Sequence, residues 1–212
     1  MITKICGITS PAALAAAVDH GAAMVGFVFY PPSPRCLAPA QAGPLADAVP
    51  AGVDRVGVFV DPDDALLAEV LGRVRLDMVQ LHGNETPARL KQVRAKFGLP
   101  VIKAIKLASV ADLAKARDYD GVADWLLFEA PAPDRPGALP GGNGQSFDWR
   151  LLAGQKFRRP WLLSGGLDAG NLAQAVRSSG AVAVDVSSGV EDAPGRKNPA
   201  RIKEFLVTAA AL

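Results

Sequence analysis

The chemically capable residues of this chain collect at one kind of position, directly after short apolar runs. Cys6-Gly7 closes the run 3–6, and Tyr30 to Arg35 follow the run 24–30. Gln80 and His82 lie at the end of 78–82, and Glu129 closes 125–129. Ser164-Gly165-Gly166 ends 161–164, and Asp185-Val186-Ser187-Ser188-Gly189 ends 182–187. A thiol and a carboxyl can carry protons once their environment tunes their pKa. An arginine fork can hold a carboxylate through two parallel hydrogen bonds. Glycine-rich turns offer unhindered backbone N–H groups, the usual cradle for a phosphate.

These residues need a frame that brings strand ends to one rim. The eight runs 3–6, 24–30, 55–60, 78–82, 101–106, 125–129, 161–164 and 182–187 are mostly continuous in apolar character, as parallel strands covered on both faces are. Between them lie Ala- and Leu-rich stretches of helical period. Ser10-Pro11, Thr86-Pro87 and Asn198-Pro199 each set a capping residue before a proline at the first helical position. Ser109 with Asp112 three residues on is a further start, and Gly21, Gly98 and Gly180 fall where helices should stop. Helices are expected over 12–20, 39–48, 64–73, 88–97, 110–117, 149–154, 169–178 and 199–211. Eight strand–helix units of just over twenty residues predict an α/β chain forming a single (β/α)8 TIM barrel over 1–212. A doubly wound open sheet is the alternative, and the regular rhythm favours closure. In a barrel the strand-to-helix rim carries the active site, so the long connections 31–38 and 130–147 are expected to be substrate loops. The segment Pro140-Gly141-Gly142-Asn143-Gly144 is expected to be a shaped lid. Gly165 and Gly166 after the seventh strand, with Ser187, Ser188 and Gly189 after the eighth, stand where barrels commonly bind phosphate.

Composition excludes other classes. The 212 residues are 50% hydrophobic and 21% charged, too apolar for a disordered chain and enough for a substantial core. Twenty-three basic against 21 acidic residues leave a formal charge of +2, so neither nucleic acid nor an anionic membrane is an expected partner. The longest apolar stretch, near 21–30, is about half the ~20 residues of a membrane-spanning helix. The start MITKICGIT has no basic run leading into an apolar one, so a cytoplasmic location is expected. Cys6 and Cys36, with His20 and His82, form neither a disulfide framework nor a metal-ligand cluster, so no metal is expected.

The combined motifs resemble the phosphoribosylanthranilate isomerases, barrel enzymes of tryptophan biosynthesis. The resemblance runs through Lys4-Ile5-Cys6-Gly7-Ile8-Thr9, Gly26 to Tyr30 with Ser33-Pro34-Arg35, Val56 to Val60, and Val79-Gln80-Leu81-His82-Gly83. It continues through Leu139 to Gly144, Phe147-Asp148-Trp149, Ser164 to Leu167, and Val184 to Glu191. It implies an Amadori rearrangement of N-(5-phosphoribosyl)anthranilate to its 1-deoxyribulose isomer by general acid–base catalysis, with no cofactor. It further implies that Cys6 is the general base and that Arg35 holds the substrate carboxylate. Where the family carries aspartate at the end of the sixth strand this chain has Glu129, which takes the place of the general acid.

Other residues stay open. His82 reads as a core histidine or as a hydrogen-bonding residue of the rim, and Gln80 as a substrate contact or a plug of the barrel. Asp185 reads as an organiser of the phosphate turn and the reserve candidate for the acid; Asn143 is a supporting residue of the lid. Cys36 reads as an incidental loop thiol. The alternatives to the isomerase are another phosphosugar isomerase or epimerase, and a barrel that binds a phosphosugar without catalysis. The expected partner is a small phosphorylated substrate, and the expected assembly is a monomer or a homodimer.

Overall fold

Side chains that alternate in direction with a period of two build the inner layer of this protein, seen in a computed structural model that describes residues 1–134 and 138–212. Eight parallel strands, β1 (Ile2–Cys6), β2 (Met24–Val28), β3 (Asp54–Phe59), β4 (Met78–Leu81), β5 (Val101–Lys106), β6 (Trp125–Glu129), β7 (Trp161–Leu163) and β8 (Ala183–Val186), pair in sequence order. β8 then pairs with β1, so the sheet closes into a barrel. Because successive side chains point to opposite faces, Met24, Val56, Val58, Ile102, Ala104, Leu127, Leu162 and Ala183 fill the interior. The alternate residues, among them Ile5, Val25, Val79, Leu126 and Phe128, face the helices and build the larger outer core. Phe128 packs outward against Phe157 and Trp161, with ring centroids 5.1 and 5.8 Å away.

The helices are α1 (Pro11–Asp19), α2 (Pro39–Asp47), α3 (Asp64–Leu71), α4 (Pro87–Phe97), α5 (Val110–Tyr119), α6 (Leu172–Ser179) and α7 (Pro199–Ala210). The expected caps form: Ser10, Thr86 and Asn198 side chains accept from Ala13 N, Arg89 N and Ala200 N. Ser109 and Asp112 form a capping box. Gly98 and Gly180 end α4 and α6 in the left-handed conformation that favours glycine.

Two elements differ from expectation. Between β6 and β7 the segment Trp149–Leu152 makes one 3₁₀ turn in place of the helix expected over 149–154. Gly154, at φ +70°, reverses the chain right after it. After β8 the chain makes a 3₁₀ turn, Ser188–Val190, and then an unexpected antiparallel hairpin, β9 (Glu191–Ala193) with β10 (Arg196–Lys197). Residues 135–137 of the long connection after β6 lie outside the described residues.

Candidate active site

The strand-to-helix rim holds a cavity of about 820 Å³, counting its open mouth, lined by residues from the ends of β1, β2, β3, β4, β6, β7 and β8. Cys6, Arg35, His82, Glu129, Asn143, Ser164, Gly165, Gly166, Asp185, Ser187 and Ser188 all reach it. Gln80 lies below it, fully buried inside the barrel. Gly189 does not line the cavity. A side chain there would collide with the Leu167 carbonyl, so Gly189 lets the turns after β7 and β8 approach each other.

Cys6 sits at the end of β1, 8% exposed, with Gly26 opposite it in the register of β1 and β2. A Cβ on Gly26 would stand 3.0 Å from Cys6 Sγ and 3.3 Å from Lys4 Nζ, so the missing side chain makes room for thiol and ammonium together. Lys4, on the same face two residues earlier, donates to Asp185 Oδ1 at 2.7 Å and is wholly buried. Ser164 Oγ donates to the other oxygen, Oδ2, at 2.8 Å. Burial pushes the Cys6 thiol up and Asp185 adds to the rise, against the pull of Lys4 and Lys197. Burial opposes the charge on Lys4, yet Asp185 and Cys6 together hold that ammonium above its ordinary value.

Arg35 is also buried. Its Nε and Nη2 donate to Glu191 Oε1 and Oε2, each at 2.8 Å, and Nη2 also donates to the Gly142 carbonyl at 3.2 Å. Among the described residues Nη1 is the guanidinium nitrogen left without an acceptor, and a Cβ on Gly142 would come 2.6 Å from it. Glu191 also accepts from Lys197 Nζ at 2.7 Å, and Lys197 donates to the Ser187 carbonyl and hydroxyl. Burial would raise the Glu191 carboxyl, but Arg35 and Lys197 outweigh it and hold it below the usual carboxylate range. Burial lowers the Lys197 ammonium against the pull of Glu191.

Across the barrel from Cys6, on a strand that does not pair with β1, Glu129 Oε1 lies 2.5 Å from His82 Nε2. His82 Nδ1 lies 2.7 Å from Gln80 Nε2. The turn after His82 is pinned by a buried pair: Glu85 accepts from Gly83 N and from Lys103 Nζ, the latter at 2.7 Å. Of the open alternatives, His82 is thus a hydrogen-bonding residue of the rim. Gln80 contacts the histidine below the cavity, and Asp185 is committed to Lys4 and Ser164.

The lid packs over this arrangement. Gly141 faces His82 and Glu129, and Gly142 faces Arg35, so side chains at either position would strike the site. Asn143 shapes the lid from within, its Nδ2 donating to the Leu139 carbonyl at 2.8 Å. Gly165 and Gly166, at φ +88° and +65°, turn tightly against the backbone of Gln145 and Ser146. Among the described residues neither of their N–H groups has an acceptor. A pair of unsatisfied donors at a glycine turn beside the Ser187 and Ser188 turn is suited to an anion. Among the described residues no three His, Cys, Asp or Glu side chains gather closely enough to share a metal ion.

Lys4, Glu191 and Lys197 were not singled out from sequence. Lys4 had a signal, since a residue two before Cys6 on a strand shares its face. Glu191 lay inside the resembling segment Val184 to Glu191 without an assigned role, and Lys197 had no signal, because the hairpin that carries them has no apolar alternation.

The chain matches a family model described as N-(5'phosphoribosyl)anthranilate (PRA) isomerase over residues 3–208. It is 62% identical over 209 residues to the N-(5'-phosphoribosyl)anthranilate isomerase of Rhodospirillum centenum, covering 99% of this chain and 98% of that one. The Paracoccus denitrificans protein of the same name is 56% identical over 208 residues, covering 98% and 96%. Among solved structures, the phosphoribosyl anthranilate isomerase of Thermotoga maritima superposes with a TM-score of 0.89 at 36% identity, covering the whole of both chains. A phosphoribosyl anthranilate isomerase in complex with reduced 1-(o-carboxyphenylamino)-1-deoxyribulose 5-phosphate gives 0.86 at 36% identity, again over both whole chains.

Proposed function

This chain belongs to the N-(5'-phosphoribosyl)anthranilate isomerase family, and from that premise we propose how its own residues carry the reaction. It is an isomerase of tryptophan biosynthesis, and these relatives do not favour a silent phosphosugar-binding barrel. The observation that carries the assignment of roles is the placement of Cys6 and Glu129 on opposite sides of one cavity, beside the unsatisfied Gly165 and Gly166 amides.

Substrate lies across the mouth with its phosphate on the turns of Gly165, Gly166, Ser187 and Ser188, while Gly189 keeps those turns in contact. Its anthranilate carboxylate meets Arg35 Nη1. Glu129 donates a proton to the furanose oxygen, the C1–O bond breaks, and the nitrogen lone pair forms a Schiff base at C1. Cys6, as thiolate, removes the C2 proton; those electrons form the C1–C2 double bond and neutralise the iminium, giving an enolamine. C1 then gains a proton from the Cys6 thiol as the C2 hydroxyl gives one to the Glu129 carboxylate, which yields the ketone and restores both groups. No atom enters or leaves, so the reaction asks only for two proton carriers and a water-poor cavity.

No helix among the described residues is long and apolar enough to cross a membrane. We place the enzyme in the cytoplasm, where its phosphorylated substrate would be made, acting as a monomer or homodimer on that small molecule alone. Sedimentation and cell fractionation test those points. The catalytic reading is tested by following loss of anthranilate fluorescence on turnover of phosphoribosylanthranilate. Turnover expected of the parent should fall steeply in Cys6→Ser and Glu129→Gln; full activity in both variants would overturn the roles.

A further inference from the structure

Glu129 has two oxygens in different surroundings. Oε1 is 2.5 Å from His82 Nε2. Oε2 is the oxygen not bonded to His82; it lies beside Gly141 of the lid, where a Cβ would come within 2.7 Å of it, and Glu129 lines the cavity. His82 in turn is oriented from beneath: Gln80 Nε2 lies 2.7 Å from Nδ1, and Gln80 is wholly buried. A neutral ring with its hydrogen on Nε2 accepts from Gln80 at Nδ1 and donates to Glu129.

We infer that His82 is the positioning residue of the general acid. By donating to Oε1 it places the transferable proton of the protonated carboxyl on the other oxygen, Oε2. As Glu129 gives up its proton, charge develops on the carboxylate and the bond from His82 Nε2 strengthens, since hydrogen bonds to ionised acceptors are the stronger kind. The interaction is then worth more in the transition state than in the ground state, and its loss appears in kcat. The inference rests on the assignment of Glu129 as the acid, and the test separates the two.

The experiment is a double-mutant cycle at 82 and 129 in the full chain, with fluorescence turnover read as kcat and KM. His82→Ala should lower kcat by about 10- to 100-fold with KM within about twofold of the parent. His82→Gln, whose amide N–H can reach the same oxygen, should recover a large part of the loss and guards against a folding defect in the alanine variant. In a Glu129→Gln background, which has no proton to place, His82→Ala should change kcat by less than about twofold. An equal loss in both backgrounds, a loss confined to KM, or no recovery in His82→Gln overturns the positioning role while leaving the acid in place. Near-parent kcat in Glu129→Gln alone overturns the acid assignment and the inference with it.

Discussion

Arg35 and Glu191, 156 residues apart, meet in a buried two-point pair in which Nε and Nη2 each stand 2.8 Å from a carboxylate oxygen. The pair spends most of the guanidinium's donors inside the protein and leaves Nη1 toward the lid. Arg35 thus enters the site as a fixed directional donor. Glu191, balanced also by Lys197, is what fixes it.

Glu191→Gln should therefore raise KM for phosphoribosylanthranilate by about tenfold with a smaller effect on kcat, because an orienting contact made equally in ground and transition states is lost. The same pair sets an acid sensitivity. The Glu191 carboxyl is held low in the folded state, so the stability it contributes is present above the unfolded carboxyl value of about 4.3 and is lost as pH falls through the folded value. The acid side of the Tm–pH curve should be flatter in Glu191→Gln than in the parent.

With Cys6 as the proposed base, its ionisation is the one that limits the free enzyme. Burial holds the thiol up, so the thiolate is scarce at neutral pH and log kcat/KM should climb with pH, with slope near one, toward the thiol's pKa. Asp185 contributes to that rise. Asp185→Asn removes an anion and leaves Lys4 with Cys6 as its anionic partner, so the acid limb of the profile should move to lower pH. A limb that stays in place would separate Asp185 from the thiol. Cys6→Ser should cost about 10² to 10⁴ in rate.

The acid is tested by comparing two isosteric amides. Glu129→Gln should lose about 10²-fold or more in kcat, whereas Asp185→Asn should retain turnover. The reverse pattern would make Asp185 the acid. Glu129→Asp keeps the carboxyl but shortens its reach to His82, and should retain more activity than the amide.

The phosphate turn is tested at Gly166. Its φ of +65° and the 2.8 Å approach of a Cβ to Ser146 N make any side chain there strained. Gly166→Ala should weaken both substrate binding and inhibition by inorganic phosphate. Unchanged KM and unchanged phosphate inhibition in a folded variant would remove the site.

Local order in this protein was legible from sequence because it depends on neighbours within one turn or one pleat. The prolines after Ser10, Thr86 and Asn198 announced helix starts that the structure places at Pro11, Pro87 and Pro199. The apolar runs announced strands, and polar residues at their ends announced the rim where Cys6, Glu129, Ser164 and Asp185 gather. The turn at Trp149–Leu152 passed for a helix because a single turn and the start of a longer helix share the same local pattern. The hairpin of Glu191–Ala193 and Arg196–Lys197 was invisible because five polar or small residues carry no hydrophobic period.

Partnership inside the cavity was decided by the tertiary structure. Lys4 meets Asp185 because the last strand pairs with the first in a register that sets those two side by side. His82 meets Glu129, and Arg35 meets Glu191, across the open end of the barrel. Such contacts join residues 47 to 181 positions apart, and no local propensity encodes them. They follow from strand register and from glycines whose missing side chains let the turns and lid close on the site.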